Sequence, residues 1–174
     1  MNASDELYKT KTFNTQPVAD FIKEEMAVGA NLSTKTADYL RDMQKANTDQ
    51  LVKLFDKTQP DGSVTVFGKS IAQVLGEGGS NKYGTAKVFA TERLSEREII
   101  DYAQSLAGAV PLEEKRTPLG TIYVAKKDGM TINLRDFSSS QEDTKARWTI
   151  DVIGDKSVTD VVGEKVKRVE IKFR

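Results

Sequence analysis

The stretch GTIYVAKKDGMTINLRDF, residues 120–137, decides the fold. Apolar and polar side chains alternate on both sides of a Lys-Asp-Gly turn signal, the pattern of two antiparallel strands joined by a tight hairpin. Successive side chains of a strand point to opposite faces. Met130, Ile132 and Leu134 therefore face one way, and Thr131, Asn133 and Arg135 the other. The same alternation assigns Ile122 and Val124 to the core of the first strand and sets Thr121 and Tyr123 against them.

Downstream, the polar segment SSSQEDTK (138–145) leads to ARWTIDVIG (146–154). A loop is expected over 154–167, and RVEIKFR (168–174) supplies a last strand. Trp148, Ile150 and Val152 oppose Arg147, Thr149 and Asp151; Val169, Ile171 and Phe173 oppose Glu170, Lys172 and Arg174. The expectation is a four-stranded antiparallel sheet with one apolar face and one polar face. The polar face collects Tyr123, Arg135, Arg147, Thr149, Asp151, Glu170 and Lys172, while Trp148 belongs to the core.

Upstream, Ser95 and Glu98 have the spacing of a capping box, in which serine oxygen and glutamate carboxylate satisfy each other's backbone amides. Ile99, Ile100, Ala103, Leu106 and Ala107 then share one helical face, and Gly108 ends the helix. Val110 and Pro111 open a connection through LEEKRTP (112–118) to the sheet. Further toward the N-terminus, Pro17 to Gly29 carries apolar residues at helical spacing (Val18, Phe21, Ile22, Met26). A second helix, capped by Ser33 or Thr34, shows a stripe of Leu40, Met43, Leu51, Leu54 and Phe55. TQPDG (58–62) reads as a turn, SVTVFG (63–68) as a short strand and KSIAQVL (69–75) as a helical turn or two. GEGGSNKYG (76–84) reads as a linker or mobile loop; it lacks the Gly, Lys and Ser/Thr spacing of a phosphate-binding loop. The fold class expected is thus α+β, with N-terminal helices packed on a C-terminal four-stranded antiparallel sheet. Residues 1–85 form a helical region and 86–174 an α+β domain.

Composition restricts the chemistry. The chain of 174 residues holds no cysteine and no histidine. Disulfides, thiolate nucleophiles, thiolate zinc sites and any histidine-centred mechanism are excluded together. Neither cofactor nor metal is expected. The opening MNASDELYKTK has no apolar h-region, so no secretory signal is expected there, and no stable membrane insertion of the C-terminal domain. Net charge is zero: residues 1–109 hold 13 Lys/Arg against 15 Asp/Glu (−2), and residues 110–174 hold 13 against 11 (+2). Such a balance neither demands nor forbids a nucleic-acid substrate.

The polar face is either a plain solvated surface, whose cross-strand ion pairs contribute a few tenths of a kcal/mol each, or a site. Two arginines, a lysine and two carboxylates suffice for metal-free phosphodiester cleavage. The cations stabilise charge developing on phosphate, and a carboxylate, lysine or tyrosine takes the proton of a ribose 2′-hydroxyl.

Four phrases carry a resemblance: the helix ending in YAQSLAG, then TINLRDFSSS, ARWTIDV and the closing EIKFR. Residues 86–174 resemble the C-terminal toxin domains of contact-dependent growth inhibition (CdiA-type) proteins and related polymorphic toxins. These are similar in architecture to the barnase, EndoU, colicin and RelE ribonucleases. The resemblance implies cleavage of RNA, commonly transfer RNA, in the cytoplasm of a target cell after delivery within a larger exported protein. It implies a cognate immunity protein and leaves room for a target-cell host factor. Carried onto this chain, Arg135 and Arg147 would bind phosphate, and Asp151 or Glu170 would accept the proton. Lys172 would supply charge or a proton. Tyr123, Thr149, Ser138, Ser139 and Ser140 would position substrate, although the serine run reads equally as a polar loop. Two alternatives stand beside the ribonuclease: a toxin of the same delivery class acting on DNA, and a non-catalytic binding or structural module. Residues 1–85 would be a delivery segment or a helical extension.

Overall fold

The structure is a computed structural model that describes residues 34–174; the helix expected over 17–29 lies outside them. The chain is α+β, with elements in the order α1 (Thr34–Phe55), β1 (Ser63–Val66), β2 (Lys69–Val74), β3 (Ala86–Phe89), α2 (Glu96–Ala107), β4 (Glu113–Thr117), β5 (Gly120–Lys127), β6 (Met130–Arg135), α3 (Gln141–Thr144), β7 (Trp148–Ile153), α4 (Lys156–Val162) and β8 (Arg168–Phe173).

The expected four-stranded antiparallel sheet is corrected to eight strands of mixed direction, in the order β1-β2-β3-β8-β7-β6-β5-β4. All neighbours run antiparallel except β3 and β8. Three expectations change with it. KSIAQVL is not helical but forms β2, because Phe67 and Gly68 both take positive φ (47° and 82°) and fold the chain back in a two-residue hairpin turn. LEEKRTP is not a mere connection but contains β4. Its residues Glu113 to Arg116 are exposed, and such a charged strand at a sheet edge shows no apolar alternation to read. The 154–167 loop contains α4, whose N-cap Asp155 accepts a hydrogen bond from the Val158 amide.

The turn between β5 and β6 is as the sequence indicates. Asp128 and Gly129 take φ of 52° and 83°, and residues 122–127 pair with 130–135. The helix expected from the capping box is present as well: the Ser95 hydroxyl accepts from the Glu98 amide, and the Glu98 carboxylate accepts from the Ser95 amide.

Helices α1, α2 and α4 cover one face of the sheet. Leu51, Leu54 and Phe55 of α1, Ile99, Ala103 and Leu106 of α2, and Val158 and Val162 of α4 pack against Leu134, Ile150, Ile171 and Phe173. Burying each of these side chains other than Ala103 stabilises the fold by roughly 1.5–3 kcal/mol. Residues 34–85 share this core and this sheet with the rest of the described chain. No helix among the described residues is long and apolar enough to cross a membrane.

Candidate functional site

The opposite face of the sheet carries the polar residues, and strand register arranges them in rows. Arg135, Thr149 and Lys172 are cross-strand partners in one row; Asn133, Asp151 and Glu170 make the next. Residues that are directly opposite in a ladder share a face, so the central strands β6, β7 and β8 bring together Arg135, Thr149, Asp151, Glu170 and Lys172 as the sequence predicts.

Arg135 is the hub. Its Nε donates to Asp151 Oδ2 (2.9 Å), and its Nη2 donates to Asp151 Oδ1 (3.2 Å) and to Glu170 Oε1 (2.6 Å). Nη1 donates to the Phe137 carbonyl (2.7 Å). The fork is bidentate on Asp151, which gives direction as well as attraction. Burial alone would lower the guanidinium pKa, but the bonds and charges of Asp151 and Glu170 together outweigh it and hold the pKa above its ordinary value. Asp151 is 2% exposed and Glu170 21%, so only the glutamate meets solvent to any extent. Arg168 stands at the rim, 4.0 Å from Asp151.

Lys172 lies beside this pair, 7% exposed, with Nζ 3.9 Å from Glu170 Oε1. Its closest bond is to the Ser138 hydroxyl, at 2.7 Å. Burial pushes the Lys172 pKa down, and the charges of Arg135 and Arg168 push the same way, against Glu170 and Asp151. Ser138 belongs to the connection between β6 and α3. Its Oγ also accepts from the Ser140 amide (3.3 Å) and lies 3.1 Å from Ser140 Oγ. Ser139 is exposed.

Two expected site residues lie elsewhere. Tyr123 pairs with Leu134, so it stands on the helix-covered face with its ring 6.1 Å from that of Trp148. Ile122 and Val124 instead share the polar side with Arg135 and Asn133. The run TIYVA offers apolar residues at both parities, and the pairing with β6 decides between them. Arg147 precedes β7, where alternation does not apply. Its Nε donates to the Arg174 carbonyl (2.9 Å), and its Nη2 to those of Thr91 (2.8 Å) and Leu94 (3.0 Å). It closes the end of the sheet and takes no part in the cluster. Trp148, expected in the core, is buried.

Arg174, which the alternation of the last strand sets beside Glu170 and Lys172, has a role the sequence does not signal. Its Nε donates to the Thr144 carbonyl and its Nη2 to that of Gly78, both at 2.9 Å. It therefore ties α3 and the 76–84 loop to the end of β8 beside Lys172. Among the described residues no group of three or more His, Cys, Asp or Glu side chains could hold a metal ion.

No protein-family model, curated protein or solved structure matches this chain.

Proposed function

We propose that the polar face is the active site of a metal-independent ribonuclease, a toxin domain of the contact-dependent growth inhibition class. The observation that supports this reading most is the convergence of Arg135, Asp151, Glu170 and Lys172 from three adjacent strands. Asp151 fixes the plane of the Arg135 guanidinium. Glu170, whose Oε1 alone is held by Arg135, is the carboxylate placed to take the 2′-hydroxyl proton; Asp151 is not, since both its oxygens are bound and it is buried. Lys172 as a cation lends charge to the phosphate as the bond breaks. In this proposal the natural substrate is transfer RNA in a target-cell cytoplasm. The toxin arrives there as part of a larger exported protein, and a cognate immunity protein covers the face in the producing cell.

Purified chain incubated with total RNA and with plasmid DNA, with and without EDTA, tests the proposal. RNA loss unaffected by EDTA and reduced about 100-fold by Glu170→Gln supports it. EDTA-sensitive nicking of DNA would place the domain with nucleases that use a metal, and intact RNA and DNA would overturn it. One observation favours a second reading as a non-catalytic binding module: Arg135 and Arg147 both spend their donors on acceptors within the protein. Harmless high-level expression with no retention on RNA at low salt would favour that module.

A further inference from the structure

We infer that Ser138 and Lys172 form a nucleophile–base pair for acyl transfer, acting on an ester or amide. Three observations carry it. The first is distance: Lys172 Nζ and Ser138 Oγ are 2.7 Å apart, within the reach a base needs to take a hydroxyl proton. The second is the lysine's poor compensation. Lys172 is 7% exposed, and the carboxylate nearest to it, Glu170, is 3.9 Å away and already bound to Arg135 at 2.6 Å. A buried amine whose counter-ion is engaged elsewhere loses its proton more readily than one in water. The third is Ser140, whose amide lies 3.3 Å and whose hydroxyl lies 3.1 Å from Ser138 Oγ. Those contacts hold the Ser138 hydroxyl beside the amine. The inference stands apart from RNA cleavage, because it needs Lys172 as a proton acceptor and not as a cation.

The step balances without a co-reactant. Lys172 Nζ takes the hydroxyl proton as Ser138 Oγ bonds to the carbonyl carbon. The tetrahedral intermediate collapses, its bond to the alcohol or amine breaks, and the leaving group takes the proton from Nζ. Water, deprotonated by the same amine, then attacks the acyl-serine. The carboxylic acid departs and Ser138 regains its proton. Ser140 is a positioning residue.

A fluorophosphonate probe and intact-mass spectrometry test the pair on the whole chain. The expected result is a single adduct, mapped to Ser138 by fragmentation, absent in Ser138→Ala and formed about 100-fold more slowly in Lys172→Met. Lys172→Arg keeps a cation and a donor but cannot accept a proton, so it should label as slowly as Lys172→Met. The labelling rate of the native chain should rise with pH to a midpoint below the ordinary lysine value of 10.5, set by Glu170, Asp151, Arg135 and Arg168 around the amine, and Lys172→Met should abolish that rise. Ser138→Cys guards against a folding artefact, since it should move reactivity to iodoacetamide at the same position. No adduct on a chain whose circular dichroism is native, or an adduct that survives Ser138→Ala, overturns the inference. Neither result depends on whether RNA is cleaved.

Discussion

Lys87 and Lys172 stand on adjacent strands, one step out of register, and face opposite sides of one sheet. Lys87 is fully buried on the helix-covered side. Its Nζ donates to the carbonyls of Leu54 (2.5 Å) and Lys82 (2.7 Å) and sits 5.0 Å from the centre of the Phe55 ring. Leu54 lies in the last turn of α1, where unpaired carbonyls and the helix dipole favour a cation. Lys172 meets a hydroxyl and two carboxylates instead. The difference teaches that burial alone does not decide what a lysine can do. One lysine satisfies backbone acceptors and joins helix to loop, while the other sits among side chains that can exchange protons with it.

The largest effect should come from Arg135→Ala. Without the guanidinium, the buried Asp151 loses its bidentate partner and keeps only Arg168 at 4.0 Å, a loss of about 3–5 kcal/mol. Arg147→Ala, which frees three backbone carbonyls and strands no charge, should cost about 1–2 kcal/mol. Urea unfolding of both variants measures the gap, and equal losses would erase the distinction between the two arginines.

Next in size is a pH effect that belongs to Lys87. Burial, with a smaller push from Lys82, brings its pKa down from 10.5 to about 8. Between those values the unfolded chain holds a proton the folded chain has released, so stability rises with pH across that window. The full rise is on the order of 3 kcal/mol. Above pH 10 the buried Tyr102 opposes it, because desolvation raises its pKa and the unfolded chain ionises first. Stability measured from pH 7 to 10 should therefore climb in the native chain. Lys87→Met should remove most of the climb, leaving the smaller part that Lys172 contributes in the same direction. An unchanged slope in that variant would assign the rise elsewhere.

The smallest effect also concerns the covered face. Tyr102 packs edge-on against Phe173, and its hydroxyl is buried with no hydrogen-bond partner among the described residues. Tyr102→Phe should raise stability by about 1 kcal/mol and abolish the loss above pH 10. A decrease would mean that the hydroxyl is satisfied.

What could be read in advance follows from how local each signal is. The Ser95–Glu98 box and the Asp128–Gly129 turn are complete within a few residues, and both stand where the sequence puts them. The polar parity of β6, β7 and β8 was legible because each of these strands alternates without interruption. Tyr123 and β4 were not, since an outer strand takes its face from its partner and a charged edge strand has no apolar code. The Ser138–Lys172 contact spans 34 residues, and no spacing rule reaches across such a distance. Asp155, by contrast, carries a local signal: an Asp three residues before Val158 is an ordinary helix start.

The parallel seam between β3 and β8 has a consequence for how the molecule assembles. Strands β1 to β3 and β4 to β7 are two separate antiparallel ladders until β8, the last of the strands to be synthesised, slides between them. Until then β3 and β7 expose open edges, which invite pairing with other chains. The contacts that close them join residues some 84 positions apart, as in Val88 with Lys172, and so should form late. Glu170 and Lys172 travel on that same strand, so a newly made chain acquires its sealed sheet and its charged cluster in one event.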